Sequence, residues 1–245
     1  MNIIISPSPE LLGERAACRA AESLNRAIAE KGAARVLFST GASQFEMFKA
    51  LVKQEVDWKR VTMFHLDEYC GLPEDHPASF RKYLMERFIS QVSIGACHLV
   101  DGSEAGIEAL NAAVTEAPID LGLIGVGENG HVAFNDPPAD FETEEPYIVV
   151  TLDEACKRQQ VREGWFASVE DVPKTAVTMS VRQIMKCAEI ISCVPHAVKA
   201  DAVAAMVNGP LSNMVPASIL KTHPNVSLYL DKESSAKIKR FNGEP

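Results

Sequence analysis

A few short segments of this sequence hold side chains of the right type and spacing for chemistry. His65-Leu66-Asp67-Glu68-Tyr69 sets two adjacent acids at the end of an apolar run. A carboxylate there can serve as general base toward a carbon-bound proton within hydrogen-bond reach; its structural alternative is a loop cap or a solvated acid. Gly125-Val126-Gly127-Glu128-Asn129-Gly130-His131-Val132-Ala133-Phe134-Asn135-Asp136-Pro137 formally matches G-x-G-x-x-G, with Glu144 and Glu145 downstream. A dinucleotide fingerprint must open a helix, and Pro137-Pro138 follows too soon, so NAD binding is set aside. What remains is a glycine-permitted excursion that carries His131 to a strand end, with Asp136 and Asn129 near enough in sequence to orient its ring. Such a histidine is either a tunable proton shuttle or a structural loop residue.

Two further segments suit an anion. Ser39-Thr40-Gly41-Ala42-Ser43 places small residues where a strand hands over to a helix, so free backbone N–H groups can face a phosphate; an ordinary tight turn with a serine cap reads equally well. Lys199 falls in the first turn of a later helix, where a cation opposes the helix dipole and asks for a bound anion, unless it is merely solvated. His65, Asp67, His131 and Asp136 are of metal-ligand type but lack H-x-x-H or H-E-x-x-H spacing, so no metal is expected.

These segments must be positioned by elements, and the pattern is short β-branched runs alternating with amphipathic stretches. It predicts an α/β fold: a single doubly wound, mostly parallel sheet with helices on both faces, Rossmann-like. Strands are expected at Asn2 to Ile5, Arg35 to Phe38, Val61 to Leu66, near His98 to Val100, Ile119 to Val126, Tyr147 to Thr151, Ala176 to Met179, Glu189 to Val194 and Val226 to Leu230. Helices are expected from Pro9 to near Gly32, from a Ser43/Glu46 capping box to about Glu55, and from about Ser79 to Ile89. Others follow at about Glu104 to Thr115, Asp153 to Arg162 and His196 to Val207, with a terminal helix. Asp67 to Pro77 and Gly127 to Glu145 read as loops. In open α/β sheets ligands gather beyond the carboxyl ends of the strands, which is where all four segments fall.

The 245 residues, without repeat or linker, read as one domain, 1–245. Lys plus Arg number 24 against 33 Asp plus Glu, a net charge of −9 with no basic stripe, which argues against nucleic acid as partner. No apolar run is long enough for a membrane span or a secretory leader, and six scattered cysteines fit reduced thiols in the cytoplasm.

The Asp67-Glu68-Tyr69, Asn129-Gly130-His131 and Phe134-Asn135-Asp136-Pro137 motifs, with Val172-Pro173-Lys174 and Pro216-Ala217-Ser218-Ile219-Leu220-Lys221-Thr222-His223-Pro224, resemble the glucosamine-6-phosphate deaminase (isomerase) family, over nearly the whole chain. Related 6-phosphogluconolactonases share the fold and a glycine-rich loop with histidine. The resemblance implies a hydrolase of amino-sugar catabolism that converts an amino-sugar 6-phosphate and water into a ketose 6-phosphate and ammonia, without cofactor. It implies Asp67 as the base between C2 and C1, His131 as the ring-opening group held by Asp136, and a phosphate on Ser39, Thr40, Gly41, Ala42 and Ser43 with Lys199. A homo-oligomer is compatible with it. Asn129 replaces the aspartate of many members and Asp136 the commoner glutamate, and the phosphate arginine aligns to Arg162 or Arg158.

Overall fold

The computed structural model describes residues 1–239, the side chains of residues 104 and 155 excepted. In chain order the elements are β1 (Asn2–Ser6), α1 (Pro9–Lys31), β2 (Ala34–Phe38), α2 (Phe45–Leu51), β3 (Val61–His65), β4 (Asp67–Tyr69), α3 (Phe80–Arg87), β5 (Ala96–His98), α4 (Glu104–Thr115), β6 (Leu121–Ile124), β7 (Tyr147–Thr151), α5 (Glu154–Arg162), β8 (Thr175–Met179), α6 (Val181–Ile184), β9 (Glu189–Val194), α7 (Ala200–Asn208) and β10 (Val226–Asp231).

Seven strands form one sheet in the order β1-β10-β9-β6-β2-β3-β5, every neighbouring pair parallel. The chain winds outward from β2 through β3 to β5, then returns beside β2 as β6 and winds the other way through β9 and β10. The direction therefore reverses between β2 and β6, and the crevice at their carboxyl ends is where such a sheet takes a ligand. Both sheet faces are covered, so its strands run apolar throughout: Leu121, Leu123 and Ile124 of β6 are fully buried.

α1 shows how local sequence sets an element. Ser8 caps it by accepting the Leu11 N–H at 3.4 Å, Pro9 supplies the first helical φ, and Gly32 ends it in the left-handed conformation at φ 81°. Its alanine-rich stripe, Ala16, Ala17 and Ala20 with Leu24, is buried against the sheet. Underneath, the buried Glu189 of β9 binds Arg19 at 2.7 Å, Ser23 at 2.8 Å and Arg26 at 3.1 Å, fixing α1 at the edge away from the crevice.

Three strands do not join the main sheet. β4, β8 and β7 form a small antiparallel sheet in which Asp67 faces Thr178 and Tyr69 faces Ala176. Asp67 to Tyr69 is thus strand where the sequence suggests loop. The edge strand at Ala96–His98 lies slightly before the expected position.

The Ser43/Glu46 capping box does not form. Gly41 at φ 101° opens a single 3₁₀ turn over Ala42–Gln44, and α2 begins only at Phe45 and ends at Leu51. Lys199 ends another 3₁₀ turn, just before α7 and not inside it. After β10, residues 232–237 are turns where a terminal helix was expected, and its remainder beyond residue 239 lies outside the described residues. No helix of the described residues is long and apolar enough to cross a membrane.

Gly13 sits where α1 crosses α2: a Cβ there would stand 2.5 Å from the Glu46 carbonyl carbon, a backbone atom that cannot swing aside. Gly13→Ala is therefore expected to lower stability by about 1–3 kcal/mol in urea unfolding, despite alanine's better helix propensity.

Candidate active site

The crevice between β2 and β6 opens into a cleft of about 570 Å³. Its floor is the turn after β2. Ser39 N–H bonds to Leu123 and Gln44 N–H to Gly41, but among the described residues the four N–H groups between them, Thr40 to Ser43, donate to nothing. Ser39 Oγ is buried without a partner. The Tyr83 hydroxyl of α3 braces the turn by donating to the Gly41 carbonyl at 3.0 Å. Free donors converging in this way are of the kind that can hold an anion.

Asp67 forms the second wall. One residue separates β3 from β4, so the chain steps from the main sheet to the small one at Leu66, and Asp67 enters the cleft nearly buried. Burial, helped by the charge of Glu68, pushes its carboxyl up to about 8. Its neighbour is not free for chemistry: Glu68 accepts the Ser79 hydroxyl and the Arg81 N–H, each at 2.9 Å, and so anchors the start of α3. His65 also drops out, because its Nδ1 accepts the Val100 N–H at 3.4 Å, and burial with the Arg81 charge takes its ring down to about 3. Among the described residues no three His, Cys, Asp or Glu side chains gather into a metal-binding set.

The loop after β6 forms the third wall. Gly127 N–H donates to the His131 carbonyl at 2.9 Å and Gly130, at φ 85°, turns the chain back. The His131 ring lies against Gly127 so closely that a Cβ there would stand 2.2 Å from ring atom Cε1. Its Nδ1 is 3.2 Å from Asp136 Oδ1, within ion-pair reach, though the N–H is not aimed straight along that line. Asn129 closes the arrangement, accepting the backbone N–H of His131 and donating to Asp136, both at 3.0 Å. Burial pulls the Asp136 carboxyl upward, but its bonds and charge contact with His131 and the Asn129 amide outweigh that and leave it below the usual range.

Strand β8 sets the separation of the two walls. Thr178 faces Asp67 in the register, and its hydroxyl accepts the Phe134 N–H at 3.1 Å. The Asn135 amide donates to the Val132 and Met179 carbonyls, both at 2.9 Å. Thr178 was not singled out in the sequence, where a threonine in a β-branched strand gives no signal.

Lys199 completes the cleft. It is buried, desolvation lowers its pKa against the opposing pull of Glu128 and Glu163, and among the described residues its ammonium has no ion-pair partner. Arg162 differs from expectation: it is exposed at the rim, paired with Glu128, and does not line the cleft. Arg158 is exposed as well. In its place Arg87 lines the mouth, its guanidinium 4.0 Å over the Phe45 ring. Arg87 and His196 were both missed, since helix and turn contexts gave neither a reason to face a cleft.

The fold and site together define an α/β protein of the open parallel-sheet class, with a turn of unpaired N–H groups, a buried carboxyl and a carboxylate-held histidine at its reversal point. The chain belongs to the family described as glucosamine-6-phosphate isomerases/6-phosphogluconolactonase, whose model matches residues 7–228. A glucosamine-6-phosphate deaminase of Lactobacillus delbrueckii subsp. bulgaricus is 33% identical over 243 residues, 98% of this chain and 100% of that one. One of Streptococcus pneumoniae (strain Hungary19A-6) is 33% identical over 213 residues, 85% of this chain and 89% of that one. Among solved structures, a monomeric glucosamine-6-phosphate deaminase superposes with TM-score 0.87 at 28% identity, covering 97% of this chain and 100% of that one. A 6-phosphogluconolactonase of Thermotoga maritima, at 18% identity and TM-score 0.77 over 94% of this chain and 99% of that one, shares the fold.

The raised Asp67 carboxyl carries a stability consequence. A group whose folded pKa exceeds its unfolded value stabilises the fold while protonated in both states, and that contribution is lost as pH climbs from about 4 through about 8. Asp67→Asn is expected to unfold at higher temperature than wild type at pH 8, with the two converging near pH 4. The difference in stability should grow on the order of 1 kcal/mol per pH unit between those limits.

Proposed function

We propose that the protein is a cytoplasmic amino-sugar-phosphate deaminase/isomerase that converts glucosamine 6-phosphate and water to fructose 6-phosphate and ammonia. The observation that carries this reading is the meeting, in one cleft, of a buried carboxyl pushed up to about 8, a carboxylate-held histidine and a cradle of unpaired N–H groups beside a lysine. The names of the 33% identical relatives point the same way. The six free cysteines suit a reducing compartment.

The roles follow from position. The sugar phosphate occupies the Thr40 to Ser43 N–H groups, with Lys199 as the buried cation that answers its charge. His131, steadied by Asp136 and Asn129, moves a proton from the C1 hydroxyl to the ring oxygen and opens the ring. Asp67 takes the C2 proton while the substrate's own ammonium passes a proton to O1, leaving an enolamine, and Asp67 then returns its proton to C1. The resulting C2 iminium adds water and expels ammonia. A base that must both accept and return a proton works best with its pKa near the working pH, and burial brings Asp67 there. Arg162, paired with Glu128 at the rim, is given no role in this scheme.

Ammonia release from glucosamine, galactosamine and N-acetylglucosamine 6-phosphates, run beside 6-phosphogluconolactone hydrolysis, tests the reading. Release from the first and no lactone hydrolysis is the expected result; lactone hydrolysis alone would defeat it, and preference for the galacto epimer would change the substrate. kcat/KM should rise with pH toward a plateau above about 8, because the free enzyme's base must be ionised. Asp67→Asn should lose about 10² to 10⁴-fold in turnover, and retention of more than a tenth would remove Asp67 from the chemistry. Lys199→Ala should chiefly raise KM, since the phosphate is held alike in ground and transition states.

A further inference from the structure

His196 stands at φ 79° and ψ 146°, a conformation belonging almost wholly to glycine. It is held there from outside. Asp231 Oδ2 accepts the His196 N–H at 2.8 Å, and the buried Asp231 is locked in turn by the Ser234 N–H, at 2.7 Å on Oδ1. The residue lines the same cleft as Lys199, three positions on, and the Thr40 to Ser43 turn. Glycine would make this turn without strain and leave that part of the wall bare. The imidazole is therefore what the strained turn keeps in place, and strain retained at a ligand site points to a use for the side chain.

We propose that His196 is a substrate-binding residue, its imidazole donating a hydrogen bond to the substrate's phosphate beside Lys199 and the N–H groups of Thr40 to Ser43. This rests on the reading of that turn as the phosphate site. The charged groups around the imidazole are Glu10 of the first turn of α1, Asp231 at the end of β10, and Lys199. The backbone of His196 is committed to Asp231, which leaves only its side chain to meet a ligand. With Arg162 drawn to Glu128, the cleft wall at this end holds Lys199 as its buried cation, and a second donor from the same turn gives the phosphate a two-point grip that neither residue supplies alone.

The test compares wild type, His196→Gly and His196→Asn in thermal unfolding, in steady-state kinetics on glucosamine 6-phosphate and in inhibition by inorganic phosphate. His196→Gly should melt several degrees higher, about 2–4 °C for each kcal/mol of strain released. The same variant should show a KM and a phosphate inhibition constant each about tenfold higher, with kcat held, as loss of one charge-assisted bond predicts. His196→Asn, which keeps a side-chain donor along with the strain of the turn, should recover part of the affinity. A His196→Gly protein that melts higher with KM and phosphate inhibition unchanged would overturn the proposal, as would a lower melting temperature or a fall in kcat alone. If phosphate fails to inhibit wild type and Lys199→Ala leaves KM unchanged, the phosphate site itself is misplaced and both readings fall together.

Discussion

Leu66 is the residue on which the site's geometry turns. Its N–H bonds to the Phe38 carbonyl of β2 at 3.1 Å, and its carbonyl accepts the Met179 N–H of β8 at 2.9 Å. One residue thus belongs to both sheets. Asp67, the next residue, is placed by this shared residue before any side-chain contact is made, and it is buried for the same reason, since a residue at the junction of two sheets has protein on nearly every side. Burial in turn raises its pKa. Position and basicity are two consequences of one backbone arrangement. The His131 loop hangs from the same β8 through Thr178 and the Met179 carbonyl, so strand pairing fixes the separation of Asp67 and His131 far more stiffly than two free loops would.

Departures from local rules gather at this end of the molecule. Gly41, Gly130, Ala133 and His196 all have positive φ, and all four line the cleft or belong to the loops around it. Ser39 Oγ and Gln44 Oε1, at the same strand end, are buried without partners, each a desolvation cost of about 1–3 kcal/mol. At the opposite edge the Glu189 carboxylate is satisfied by Arg19, Ser23 and Arg26. A fold that tolerates strain and unpaired polar atoms where a ligand binds must be well satisfied elsewhere, and the α1 face supplies that support.

The strand and helix succession was legible because a sheet covered on both faces forces apolar β-branched runs, and because Ser8-Pro9 and Gly32 mark the ends of α1 without ambiguity. Asp67 and His131 were legible because polar residues directly after such runs are out of keeping with burial. What could not be read depends on partners distant in the chain. Asp67 to Tyr69 becomes strand only because β8, more than a hundred residues later, pairs with it. Ser43 loses its capping role to a glycine whose positive φ the sequence does not announce. Arg162 looked free for a phosphate until the fold brought Glu128 beside it, and Arg87 reached the cleft through its stack on Phe45.

The pairing of Asn129 with Asp136 gives a physical reading of the two replacements at these positions. An aspartate at 129, with its oxygen 3.0 Å from Asp136 as the amide now is, would set two carboxylates against each other and force one to hold a proton. The amide avoids this by offering each neighbour the group it lacks: its Nδ2 donates to Asp136, and its Oδ1 accepts the backbone N–H of His131. The shorter Asp136 needs such help, because a side chain one methylene shorter than glutamate has less reach to align itself on the ring. The two substitutions compensate each other. One carboxylate, kept ionised by its neighbours, faces one imidazole, with Gly127 and Asp136 against the ring and Asn129 holding the backbone N–H of His131.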